Sequence, residues 1–316
     1  MNGPNGRKAM KTGEYVTVVG GVNVDITGFP AAPLVPRDSN PGTVSISFGG
    51  VGRNIAENLV KLGIHTKLIS AIGDDLYGQQ ILADAREMGL DMEETLVLKN
   101  RATSAYLAVL DEKGDMQSAI SDMDTLESLD IAFIKEKRPL IEQARVCVLD
   151  TNIPGKVLEY ILDNMETIFF LDTVSTAKAM KVKDLIGKFH TIKPNKIEAE
   201  VLSGMEINID KDLERCGEYF LSQGVKQVFI SLGAQGLYYT DGAARGHIPA
   251  PKIDVVNATG AGDAFIAALV YGYCQGYDIG QSAKFAMSAS ALALSHEKTI
   301  NPNMSVANVN RLMEGL

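Results

Sequence analysis

The 316-residue chain reads as an α/β protein with a mostly parallel central sheet flanked by helices. Three observations carry this. Short β-rich runs alternate with helical patterns through most of the chain, as parallel strands joined by crossover helices require. The early helical patterns close on glycine, the usual residue for a left-handed C-terminal turn. Strand-like segments near 44–48 and 96–120 break the alternation and are expected to pair as a small second sheet.

Taken in order, Tyr15 to Val19 is β-rich and runs into Gly20-Gly21. A stretch holding Pro30, Pro33, Pro36 and Pro41 follows, then the alternating strand Val44 to Phe48, ended by Gly49-Gly50. Ile55, Leu59 and Leu62 recur at helical spacing before Gly63, and Leu68 to Ile72 reads as one buried strand. Ile81, Leu82, Ala85 and Met88 mark a helix closed by Gly89. Leu96 to Leu98, Ser104 to Leu110 and Met116 to Ile120 read as consecutive strands, the last two joined by a hairpin loop at Asp111 to Asp115. Val146 to Leu149, Ile168 to Leu171, Thr191-Ile192 and Val228 to Ile230 are strands separated by helical segments. Ala264 to Cys274 and Gln281 to Leu294 are Ala-rich helices with apolar residues on most faces, the pattern of buried helices. Residues 1–14 are expected to be a disordered polar tail, and 15–316 a single domain.

Composition narrows the function. Hydrophobic residues are 46% and charged residues 22%, ordinary for a globular chain. No apolar run approaches the ~18 residues of a membrane span, and residues 1–14 lack the apolar stretch of a secretory signal. A net charge of −9 argues against a nucleic-acid surface built on bulk positive charge, while leaving room for a local phosphate site. Cys147, Cys216 and Cys274 are odd in number and far apart, so they read as buried thiols in a reducing, cytoplasmic setting. The four histidines are scattered without metal spacing and read as structural.

The sharpest chemical signal is Asn257-Ala258-Thr259-Gly260-Ala261-Gly262-Asp263, followed at once by an apolar helix. Small residues let the backbone approach an anion, and a helix starting there aims free N–H groups at it. Asp263 in the first turn could take a proton from an attacking hydroxyl. Local physics allows equally a plain glycine turn with a dipole-favoured acid. Val18-Val19-Gly20-Gly21 after the first strand hints at a dinucleotide fold, but the required Gly-x-Gly-x-x-Gly is absent.

Five segments, in order, resemble the ribokinase-like (phosphofructokinase B-type) sugar kinase family. They are Asn23-Val24-Asp25, Gly49-Gly50-Val51-Gly52-Arg53-Asn54, Pro194-Asn195-Lys196-Ile197-Glu198, Ser231-Leu232-Gly233-Ala234-Gln235-Gly236 and Gly260-Ala261-Gly262-Asp263. The resemblance spans about residues 15–314 and implies the ribokinase-like fold, with the stray strands from about 30–48 and 95–122 as a lid over a sugar site. It implies an ATP- and Mg²⁺-dependent kinase. Asp263 would be the base, and the amides of Gly260, Ala261 and Gly262 the anion hole. Asn195 and Glu198 would organise Mg²⁺, with Lys193, Ser231, Gly233 and Gly236 along the ATP phosphates and ribose. Asp25 would grip the acceptor ribose, with Asn23, Gly49, Gly50, Asn54 and Asn152 around it, and Ser39, Thr103 and Asp122 would be lid-side contacts to ribose or base.

Asp38-Ser39-Asn40-Pro41-Gly42, Gly50-Val51-Gly52-Arg53-Asn54-Ile55-Ala56-Glu57-Asn58-Leu59, Ser121-Asp122-Met123-Asp124 and Asn301-Pro302-Asn303-Met304-Ser305 together resemble the branch of the family that phosphorylates pseudouridine, a C-linked nucleoside, on its ribose 5′-hydroxyl. Inosine, cytidine and free ribose are the alternative acceptors. Two departures stand out. Asn257-Ala258 replace the common Asp-Thr beside which the family often holds a monovalent cation such as K⁺, leaving backbone carbonyls as ligands. Val51 stands where ribokinases often carry lysine. The resemblance also leaves open a homodimer formed through the lid.

Overall fold

The computed structural model describes residues 13–315. The expected tail at 1–14 thus lies almost wholly outside the described residues. Among those described, strands form three sheets. In chain order they are β1 (Val16–Val19), β2 (Asn23–Pro30), β3 (Gly42–Gly49), β4 (Thr66–Ile69), β5 (Ala71–Gly73), β6 (Leu96–Leu98) and β7 (Ala105–Leu110). They continue as β8 (Met116–Asp122), β9 (Val146–Asp150), β10 (Phe169–Asp172), β11 (Thr191–Ile192), β12 (Gln227–Ser231), β13 (Leu237–Thr240) and β14 (Arg245–Ile248).

The main sheet has eight strands in the order β14-β13-β12-β11-β10-β9-β1-β4. From β4 to β12 every pairing is parallel; β13 and β14 add an antiparallel edge. Strand side chains alternate between two cores. Val16, Val18, Val146, Val148 and Phe170 pack with the helices Val51–Lys61, Ala261–Gln275 and Ile279–Leu294. Val19, Cys147, Leu149 and Leu171 pack on the other face with Gly155–Asn164, Lys196–Ser203 and Asp210–Gln223. Burial on both faces explains why these strands are continuous Val, Ile and Leu runs.

The second sheet has the order β3-β2-β7-β8. Its two faces differ chemically. Ser47, Asp25, Tyr106 and Ser121 form one cross-strand row, on one face. Ile46, Ile26, Leu107 and Ile120 form the next row, on the opposite face. Val44, Ile46 and Ile120 on that apolar face are 68%, 51% and 66% exposed.

The structure corrects the sequence reading at several strands. Leu68 to Ile72 is not one strand: Ser70 divides β4, in the main sheet, from β5, which pairs in parallel with β6. Leu96–Leu98 therefore does not join the four-stranded sheet. β2 was hidden because its eight residues span the Asn-x-Asp segment and the first proline; Pro30 is tolerated as the last residue. β13 and β14 were also missed, being four-residue strands with polar residues and Gly246 breaking the pattern.

Candidate active site

Because β1, β9, β10, β11 and β12 run in one direction, their C-terminal ends deliver Gly20-Gly21, Asp150, Asp172, Lys193 to Asn195, and Ser231 to one edge. Ligands bind at this edge in open α/β sheets. The helix Ala261–Gln275 starts there. Gly260 precedes it at φ 82 with no side-chain cap, leaving the first-turn amides free for an anion. A Cβ at Gly260 would lie 2.2 Å from the Thr299 carbonyl, so only glycine fits. The Lys193 ammonium lies 3.1 Å from where a Cβ on Gly262 would sit, placing a cation beside the same amides.

Asp263 is buried, and Asn54 Nδ2 donates to its Oδ2 at 2.8 Å. Burial pushes its pKa up to about 7, and the nearby Asp172 acts in the same direction against the Asn54 hydrogen bond and Lys193. Asp150 is also raised by burial, to about 6, although the Gly21 and Asn152 amides donate to it at 2.7 and 2.8 Å. Burial raises Asp172 too, with Lys193 opposing. These carboxyls therefore share a dry, electronegative edge that Lys193 only partly offsets.

On the acceptor side, Asn23 Nδ2 donates to Asp25 Oδ1 at 2.7 Å. Burial raises the Asp25 pKa, opposed by Asn23 and by Arg53. A Cβ on Gly49 would sit 2.0 Å from Asp25 Oδ2, so Gly49 makes room for that carboxylate. Gly50, at φ 97, brings the chain against Gly21 and starts the helix that carries Asn54. Among the described residues, Asn54 Oδ1 and Ser104 Oγ are buried without a hydrogen-bond partner. Asn152 stands beside Gly21, its Oδ1 accepting from Lys178 Nζ at 2.6 Å.

Three expected acceptor contacts are not brought to Asp25. The Thr103 hydroxyl donates to Asp75 Oδ1 at 2.6 Å and accepts from the Gly73 amide at 3.1 Å, so it is spent inside the protein. Asp122 pairs with Ala105, which puts it on the apolar face, away from Asp25. Ser39 is exposed in the loop beyond Pro30 and Gly42, seven register steps or roughly 20 Å along the strands from Asn23 and Gly49.

On the other side of Asp263 lies a cleft of ≈ 630 Å³. Lys193, Asn195, Ser231, Gly233, Gly236, Ala261 and Gly262 all line it, as expected of a common site. The sequence reading missed its apolar wall of Pro251, Ile253, Phe265, Met287 and Leu294. Phe265 and Met287 had looked like ordinary core positions of buried helices. Glu198 sits behind the cleft in a capping box. Its amide donates to Asn195 Oδ1 and its Oε2 accepts from the Asn195 amide, both at 2.9 Å, while Thr173 Oγ1 donates to the same Oε2 at 2.6 Å.

Comparison with known proteins agrees with this geometry. The profile of the pfkB family carbohydrate kinases matches residues 14–306. Pseudouridine kinase of Escherichia coli K12 is 39% identical over 307 residues, covering 96% of this chain and 98% of that protein. The crystal structure of a Clostridium perfringens protein described as a sugar kinase is 44% identical with a TM-score of 0.90, covering 96% of this chain and 97% of the other. Arabidopsis thaliana ribokinase, solved with ribose and ATP, shares the fold at a TM-score of 0.80 and 22% identity, covering 95% of this chain and 99% of the other. A buried acid at an uncapped helix start, a second acid across the Gly49-Gly50 turn and a cleft along the sheet edge beside that helix start thus coincide with a profile spanning nearly the whole chain: the protein belongs to the pfkB family of carbohydrate kinases and is a phosphotransferase with a hydroxyl acceptor.

Proposed function

We propose that the protein transfers the γ-phosphoryl group of ATP to the ribose 5′-hydroxyl of pseudouridine, giving pseudouridine 5′-phosphate and ADP. The observation that carries the reading is the bridge made by the Gly49-Gly50 turn and its helix. One end clasps Asp25, and Asn54 at the other holds Asp263 at 2.8 Å. Asp25 accepts hydrogen bonds from the ribose 2′- and 3′-hydroxyls, which directs the 5′-hydroxyl toward Asp263. As the new O–P bond forms and the bond to ADP breaks, Asp263 takes the hydroxyl proton. The free amides of Gly260 to Gly262 and the Lys193 ammonium receive the charge on the transferring group. ATP occupies the cleft, its phosphates toward Lys193 and Ser231 and its base against the apolar wall.

Asn195 and Glu198 suit Mg²⁺ held through water. The capping box uses Asn195 Oδ1 and Glu198 Oε2, leaving Oε1 without a hydrogen bond among the described residues. Bound there, Mg²⁺ would neutralise the triphosphate. Asn257 is assigned no cation: its carboxamide donates to the Glu297 carbonyl and accepts from the Thr259 amide.

The polar face of the β3-β2-β7-β8 sheet takes the nucleobase. Tyr106, Ser47 and Ser121 lie in the Asp25 row and replace Thr103, Asp122 and Ser39 as the contacts to test. The exposed apolar face takes a second copy of the chain, making the sheet both a lid and a dimer surface. An acceptor panel with ATP and Mg²⁺, scored by product mass, tests the substrate. We expect pseudouridine to exceed uridine, inosine, cytidine and ribose in kcat/KM. Equal values for pseudouridine and uridine would overturn the pseudouridine assignment, and no phosphorylated product from any acceptor would overturn the kinase mechanism.

A further inference from the structure

The segment leaving β10 is strained. Val174 has φ 57, a left-handed conformation that β-branched residues avoid. Across it the Ser175 amide donates to the Thr173 carbonyl at 2.5 Å, closing a three-residue turn. Neighbours hold the turn in place. The Val174 amide donates to Asp172 Oδ1 at 2.8 Å, Thr151 Oγ1 donates to the Thr173 carbonyl at 2.7 Å, and the Thr151 amide donates to the Asp172 carbonyl at 3.2 Å. A strained residue so strongly determined by its surroundings, at the ligand edge of the sheet, calls for a reason.

The reason lies in what the turn directs. Thr173 is 1% exposed, and its hydroxyl donates to Glu198 Oε2 at 2.6 Å. The same oxygen accepts the Asn195 amide at 2.9 Å. Two donors converging on one oxygen fix the rotation of the carboxylate. The capping box alone, with a single donor on Oε2, would leave that rotation softer.

We propose that Thr173, presented by the strained Val174 turn, is a positioning residue that locks Glu198 in the orientation used to organise Mg²⁺ on the nucleotide. This rests on the reading of Glu198 given above. Removing a partner that orients a metal-site carboxylate typically costs 10–100-fold in metal affinity.

The test compares Thr173→Val, Thr173→Ser and Glu198→Gln. Calorimetry gives nucleotide affinity with and without Mg²⁺, kinetics gives the Mg²⁺ concentration at half-maximal rate, and thermal melting reports the fold. For Thr173→Val we expect about tenfold weaker Mg²⁺-dependent nucleotide binding and a matching rise in the Mg²⁺ requirement. Metal-free ATP affinity and the KM for the acceptor should stay within about twofold, and Thr173→Ser should restore the Mg²⁺ terms. If Glu198→Gln shifts the Mg²⁺ dependence and Thr173→Val does not, the positioning role is wrong while the reading of Glu198 stands. If Glu198→Gln leaves it unmoved, that reading falls and takes the proposal with it. Equal losses in every parameter of Thr173→Val, not rescued by serine, would mark Thr173 as packing only.

Discussion

Replacing Asp263 with asparagine isolates the proton transfer from everything else the residue does. The amide is nearly isosteric, so Asn54 Nδ2, 2.8 Å from Oδ2 in the native chain, can still donate to the remaining oxygen. What disappears is a basic group whose pKa burial pushes up to about 7, close to working pH, where a general base is most effective. Loss of such a group costs about 10²–10⁴ in kcat, or roughly 3–5.5 kcal/mol of barrier. ATP affinity, set by the cleft and Lys193, should change less than about threefold. The pH behaviour supplies a second readout. In the native enzyme kcat/KM should rise through about pH 7 as the carboxyl ionises, whereas the variant should show no such rise. Stability follows with its own sign. A carboxyl raised in the folded state favours its protonated form, so the native protein loses stability as pH climbs from the unfolded value near 4 through about 7. Asparagine carries no such cost. The variant should therefore melt higher than the native enzyme at pH 8, with the gap closing toward pH 5. Steady-state kinetics and melting curves across pH 5–9 decide the matter. Turnover within tenfold of native, or a variant that keeps the rise near pH 7, would refute Asp263 as the base.

Asp25→Ala should raise the acceptor KM by roughly 100-fold or more and leave the ATP KM nearly unchanged, since each of the two ribose hydrogen bonds to this charged group is worth about 1.5–3 kcal/mol. Gly49→Ala should do much the same, because its methyl would lie 2.0 Å from Asp25 Oδ2; a native acceptor KM in that variant would deny the packing role of Gly49. Thr103→Val should lower stability by about 1–3 kcal/mol without altering preference among nucleosides, since its hydroxyl serves Asp75 and Gly73, whereas Tyr106→Ala should weaken nucleosides more than free ribose. Ile46→Lys combined with Ile120→Lys should turn a dimer into a monomer in sedimentation runs; a native enzyme already monomeric at micromolar concentration would show that the apolar face does not take a second copy.

The sequence was legible where one local pattern meets one physical demand. Continuous Val, Ile and Leu runs meant strands buried on both faces, and the main parallel sheet contains them. Gly260 to Asp263 before an apolar helix meant a bare helix start beside an acid, and that is how the chain folds. Glu198 three residues after Asn195 meant one turn of helix, and the capping box joins them. The tertiary structure decided everything that depends on distant partners. Asn54 meets Asp263 from 209 residues away, and Gly21 meets Asp150 from 129. Leu96–Leu98 looked like any neighbouring strand, yet it pairs with β5. Thr103 offered a hydroxyl, but Asp75, 28 residues distant, engages it, and the alternation of the sheet puts Tyr106 and its row on the face of Asp25. Periodicity in a sequence says which residues share a face. Which face meets the ligand is set by long-range packing, because only the assembled layers determine which side of each strand is closed off by protein.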